Sequence, residues 1–163
     1  MRWESDKSTT EHEVYHLKKD NKKLLSLTFN PFSKSARIEC NSEKRVFLIR
    51  KEGFLRNKTA IRNEYGVKIG EFGYENGEYF IEVNDERFYY DIQNNAVAKL
   101  VLYKESAEHP IVSCALETNG SNPDVQFNRD KNLAAMTHPG LLMALCWYMF
   151  LPVAKENVAE YAN

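Results

Sequence analysis

His12-Glu13-Val14-Tyr15-His16 spells His-Glu-x-x-His. In that order a zinc protease carries two metal ligands and a general base on one helix face. The flanks here are Ser8-Thr9-Thr10 and Lys18-Lys19-Asp20-Asn21-Lys22-Lys23, which build no apolar helix face. His12, Glu13 and His16 are therefore rejected as metal ligands, and a zinc-dependent hydrolase is the weakest of the readings. The cysteines Cys40, Cys114 and Cys146 have no C-x-x-C spacing and sit beside apolar residues, as buried reduced thiols do. No G-x-S-x-G, P-loop or G-x-G-x-x-G occurs. The acids Glu82 and Asp91 fall on neighbouring strands but on faces that read as solvent-facing. Catalytic residues, cofactor and metal are all expected to be none.

A second group of residues could do binding chemistry. Residues 1–68 carry a formal charge of +7 and residues 69–163 one of −8. The cations concentrate in Lys44, Arg45, Arg50, Lys51, Arg56, Lys58 and Arg62, with Glu52 as the one acid among them. One reading is a solvated face balanced by the acidic half of the same domain. The sharper reading is a local anion site built from Arg50, Lys51, Arg56 and Lys58, for an anionic lipid or a phosphate-bearing ligand. The overall charge of −1 excludes a general nucleic-acid binder with a uniformly basic surface. Tyr79, Phe88, Tyr89 and Tyr90 could wall a ligand cavity; the period of the strands assigns them instead to a filled core on one face and exposed rings on the other.

Positioning these groups requires a scaffold. The 163 residues suit one domain. The aromatic share of 12% favours strands. Residues 1–21 read as a polar N-terminal arm. From Leu24 onward, short apolar runs alternate with turn signals: Leu24–Phe29 stopped at Asn30-Pro31, then Ala36–Cys40, Arg45–Arg50, Thr59–Ile61 and Val67–Tyr74. Asn76-Gly77 between two aromatic runs is the strongest hairpin signal, because both residues tolerate a positive φ. Turns at Asn84-Asp85 and Asn94-Asn95 continue an antiparallel meander through Tyr103, followed by Ile111–Leu116 and Val125–Phe127.

The end of the chain differs. Residues 132–154 carry no formal charge, and Leu141 to Leu151 is apolar on every face. A helix of that kind is buried in protein or lipid. About 14 apolar residues fall short of the about 20 that a bilayer needs, so a core helix is expected and no transmembrane span. Pro139 suits its first turn, and Pro152 is expected to end or bend it. Residues 22–154 then form the single domain and 155–163 a polar tail. Met1–Lys7 lacks an apolar signal region, so a cytoplasmic location is expected.

A run of some ten to twelve short strands ending in one very apolar helix resembles the tubby C-terminal-like superfold, shared by tubby, the LURP-one-related proteins and the phospholipid scramblases. The likeness rests on Arg45-Val46-Phe47-Leu48-Ile49-Arg50-Lys51, on Ile61 to Gly70, and on the helix Leu141 to Leu151. It implies a mainly β fold, an antiparallel barrel closed around a hydrophobic C-terminal helix. In tubby a Lys-x-Arg pair holds a phosphoinositide; here the resemblance points to Arg56-Asn57-Lys58, in the reverse order, beside Arg50 and Lys51. The calcium-binding and Cys-rich segments of scramblases have no counterpart in this sequence. The expected function is a non-enzymatic binding or scaffold domain for an anionic ligand. The alternative is a lipocalin-like carrier of a small apolar ligand, which predicts an open apolar cavity where the scaffold predicts a barrel filled by the helix.

Overall fold

The computed structural model describes residues 1–6, 9–41, 44–53, 58–93, 98–119, 122–130, 133 and 136–161. Twelve strands and one helix follow one another: β1 Arg2–Ser5, β2 Glu13–Lys19, β3 Lys22–Asn30, β4 Ser35–Cys40, β5 Arg45–Glu52, β6 Lys58–Asn63, β7 Lys68–Glu75, β8 Glu78–Val83, β9 Glu86–Gln93, β10 Lys99–Tyr103, β11 Val112–Asn119, β12 Asn122–Arg129 and α1 Pro139–Tyr161. The strands form one antiparallel sheet in which each pairs with its neighbour in sequence. β1 also meets β12, at one register pair, Arg2 opposite Gln126, whereas β1 and β2 share four.

The turns follow their residue types. Asn76 and Gly77 have φ of 53° and 88°, and Asn84 and Asp85 have 49° and 64°. Positive φ at both central positions matches the twist of the flanking strands. Asn30 ends β3 because its side-chain Oδ1 accepts hydrogen bonds from the Phe32 and Ser33 backbone N–H groups at 3.0 and 2.9 Å. The turn at Asn94-Asn95 lies outside the described residues.

Three expectations are corrected. Residues 1–21 are not an arm: they supply β1 and β2 to the sheet. Tyr15 and Leu17 face the core from β2, and Trp3 does so from β1. Pro152 does not end the helix, which continues to Tyr161. Most of the expected polar tail is therefore helical. Pro152 loses the hydrogen bond to the Tyr148 carbonyl and crowds it, yet Leu151 and Ala154 on either side are buried, and that packing holds the helix together through it.

Strand alternation sends Leu25, Leu27 and Phe29 inward from β3, Ile38 and Cys40 from β4, and Phe47 and Ile49 from β5. All of them pack in one core with α1. The helix is touched from many directions. Trp147 meets Trp3 of β1 and Tyr15 of β2, while Tyr148 meets Phe29 of β3 and Phe72 of β7. His138 meets Phe47 of β5, and the Cys146 sulfur lies 3.4 Å from that of Cys114 on β11. This is why the stretch from Leu141 to Leu151 needs no polar face. All three cysteines are buried, and burial, then the Cys146 thiol, pushes the Cys114 thiol up. Among the described residues no helix is long and apolar enough to cross a membrane.

Candidate functional site

The hairpin of β5 and β6 carries the predicted cations. Arg50 lies opposite Ala60, Lys51 opposite Thr59, and Glu52 opposite Lys58. Ile49 is fully buried, so Lys51 continues the inward row to the rim while Arg50 turns outward. Lys58 shares the outward row with Arg50. Arg56 lies outside the described residues. The four residues grouped in the sequence are thus split: Arg50 and Lys51 open onto different surfaces.

Acids thread the outward face. Arg62 Nε donates to Glu52 Oε1 at 2.6 Å, and Arg62 Nη1 donates to the Gly66 carbonyl at 2.6 Å. Lys68 Nζ donates to Glu71 Oε2 at 2.5 Å. These hydrogen bonds hold the Glu52 and Glu71 carboxyls below their ordinary range. Among the described residues no carboxylate pairs with Arg50, Lys51 or Lys58. The balanced, solvated face therefore describes Arg62 and Lys68, while Arg50 and Lys58 only help to lower the Glu52 and Glu71 carboxyls through space.

Arg50 opens onto a groove across β3, β4 and β5. His12, Thr28, Asn30, Ser35 and Arg37 line it with Arg50, around about 420 Å³ of open space, and no carboxylate is in its wall. Register makes the assembly: Thr28 pairs with Arg37, Arg37 with Leu48, and Asn30 with Ser35. Arg37 Nε donates to Glu39 Oε1 at 2.9 Å, which fixes the guanidinium. Because Asn30 accepts through Oδ1, its amide N–H groups are directed elsewhere. His12 is held by a loop in which its backbone N–H donates to Thr9 Oγ1 at 3.0 Å and its carbonyl accepts from Thr9 N–H at 2.8 Å. Two guanidinium groups, an imidazole, two hydroxyls and an amide suit an oxyanion. Sequence reasoning missed Arg37. It lies in a strand that was recognised, but thirteen residues from Arg50, and the pairing of β4 with β5 is what brings the two rows together.

The His-Glu-x-x-His motif is spread along an extended segment. His12 precedes β2, and Glu13 opens it. Residues four apart on a strand lie about 13 Å apart, too far to share one metal ion. Glu13 accepts from Tyr15 Oη at 2.8 Å and from Lys155 Nζ at 2.5 Å. The His16 ring lies 3.0 Å from Ser26 Oγ through Nδ1 and 3.1 Å from Asp6 Oδ2 through Nε2. Among the described residues no three His, Cys, Asp or Glu side chains gather as a metal-binding group. Glu82 receives Arg87 Nη2 at 3.1 Å, and Asp91 is exposed on the outward row of β9.

The four candidate rings separate. Phe88 is core. Tyr89 is on the outward face, stacked on Tyr103 with centroids 6.0 Å apart. Tyr79 and Tyr90 do line an open cleft, beside Lys51 and Tyr148.

Fold and surface together define a mainly β protein: twelve antiparallel strands with one apolar C-terminal helix packed against them, and a basic groove on the sheet. No protein-family model, curated protein or solved structure matches the chain.

Proposed function

We propose that this protein is a non-enzymatic binding domain for an anionic, phosphate-bearing ligand. The observation that carries the reading is the groove lined by Arg50, His12 and Arg37, in which Arg50 has no ion-pair partner among the described residues and Arg37 is held by Glu39. The tubby-like architecture belongs to the same proposal, with the strands closed into a barrel around α1. The Arg2–Gln126 pairing of β1 with β12 supports that closure, as do the contacts of α1 with strands spread through the sheet. A scaffold filled by its helix is favoured over a carrier with a central chamber, because Leu141, Leu145 and Phe150 are fully buried. Cys114 and Cys146, whose sulfurs lie 3.4 Å apart without forming a disulfide, favour a reducing, cytoplasmic setting.

Vesicles test the reading. Binding to vesicles containing phosphatidylserine or a phosphoinositide is expected to exceed binding to phosphatidylcholine alone and to fall with salt. The double variant Arg37→Glu, Arg50→Glu, on an exposed face, is expected to weaken it at least about tenfold, since each cation near an anionic surface contributes about 1 kcal/mol. Titration with inorganic phosphate and with glycerophosphate separates a lipid surface from a free phosphate. Equal binding to neutral and anionic vesicles, with no phosphate binding, would sink the idea.

A further inference from the structure

The helix does not meet the sheet evenly. Its backbone packs against β3, β4, β10, β11 and β12. Toward β7 and β9 the gap is spanned by rings, and at the end carrying the β5–β6 and β7–β8 connections it opens as a cleft of about 390 Å³. That volume lies within the range of small-molecule sites, about 300–1,000 Å³.

Its walls are mostly aromatic. Tyr74 and Tyr79 have ring centroids 4.7 Å apart, and Tyr79 and Tyr90 lie 5.5 Å apart, stacked within 26°. Across from them, Phe72 and Tyr148 pack at 5.9 Å. Tyr148 Oη donates to the Lys34 carbonyl at 2.8 Å, so the helix side of the cleft is held in place. Burial, and for Tyr90 the nearby Tyr79, pushes the Tyr90 and Tyr148 phenols up to about 12, so both are neutral donors at ordinary pH.

Three of the exposed large apolar side chains gather here, while Phe32, Tyr65 and Val67 lie elsewhere. Tyr74 is 62% exposed, Tyr79 55% and Ile92 38%, and all three border the cleft. A ring left wet on a rigid strand is a contact surface that no part of the described chain covers. Lys51 supplies the charge. It stands on the inward row beside Thr59, and among the described residues no carboxylate pairs with it or lines the cleft.

We propose that the cleft binds a small organic anion with a flat aromatic body, the Tyr79 and Tyr90 rings packing on the body and the Lys51 ammonium holding the anionic group. Tyr79 already stands between Tyr74 and Tyr90, so a flat body meets this row edge-to-face, and the Lys51 ammonium needs an opposite charge within reach of it. The site is separate from the outward groove, because Arg50 and Lys51 face opposite sides of the sheet.

Two fluorescent probes test it. Anilinonaphthalene sulfonate is a flat aromatic anion; N-phenylnaphthylamine has the same rings without the charge. The sulfonate is expected to bind one per chain, saturably, with the near-ultraviolet circular dichroism unchanged. Lys51→Gln is expected to weaken the sulfonate about two- to fivefold, the scale of one exposed ion pair, and to leave the neutral probe unchanged. Tyr79→Ala is expected to weaken both probes. Arg50→Glu, on the other face, is expected to change neither. The proposal is overturned by non-saturable sulfonate binding, by binding that grows only as the near-ultraviolet signal is lost, by a Lys51→Gln variant that treats the two probes as wild type does, or by a Tyr79→Ala variant without effect.

Discussion

Trp3 and Trp147 stack face to face, with ring centroids 5.2 Å apart and planes 11° from parallel. One belongs to the first strand and the other to the helix at the far end of the chain, and both are buried. The stack ties the first strand to α1 across almost the whole length of the chain. Trp3→Ala removes a large buried ring from that contact and is expected to cost about 3–5 kcal/mol, read as a lower midpoint in urea unfolding. Trp147 Nε1 is buried without a hydrogen-bond partner among the described residues. Trp147→Phe sheds that desolvated N–H and is expected to cost clearly less than Trp147→Ala. Equal losses in the two variants would show that a ring at this place adds nothing to the packing.

Pro152 sits in the interior of α1, with its ring exposed. Proline has no N–H to donate to the carbonyl four residues back, that of Tyr148. Pro152→Ala restores that donor and opens no cavity. It is expected to raise stability, by up to about 3 kcal/mol. A lower thermal midpoint for the variant would mean that the proline sets a bend the packing of Tyr148 requires.

Glu13 joins the start of β2 to the helix through Lys155. Burial acts to raise its carboxyl, but hydrogen bonds from Lys155 and Tyr15 outweigh it and hold the carboxyl below the ordinary 4.5. A depressed folded value contributes stability above the unfolded value and loses it as pH falls through the folded one. Unfolding free energy is therefore expected to decline below about pH 4.5, and Glu13→Gln is expected to flatten part of that decline. Lys155 is 46% exposed, so the part removed is small, at most about 1 kcal/mol. An acid limb identical in wild type and variant would contradict the assignment.

Much of the architecture was legible locally. Asn76-Gly77 and Asn84-Asp85 announce turns because few other residues accept a positive φ. Leu141 to Leu151 announces burial because nothing on its surface can face water. β2 was missed for an equally local reason. Its inward row has two buried residues, Tyr15 and Leu17, its outward row is Val14, His16 and Lys18, and its flanks are charged or polar. Too few apolar positions alternate there to betray a strand before a neighbour completes the sheet. The same holds for β1, whose one buried residue is Trp3.

The candidate sites divide along the same line. By itself the sequence determined that cations gather near the β5–β6 hairpin, that tyrosines crowd β7 to β9, and that Arg50 and Lys51 must point apart, since neighbours on a strand always do. Only the tertiary structure decided which partners those side chains meet. Strand register sets Arg37 and Thr28 in the groove that Arg50 enters, and His12 reaches it from the β1–β2 connection. The uneven seating of α1 leaves Tyr79 wet and Tyr90 half-buried beside Lys51. Register and helix placement depend on contacts between residues far apart in the chain, and local pattern carries no record of them.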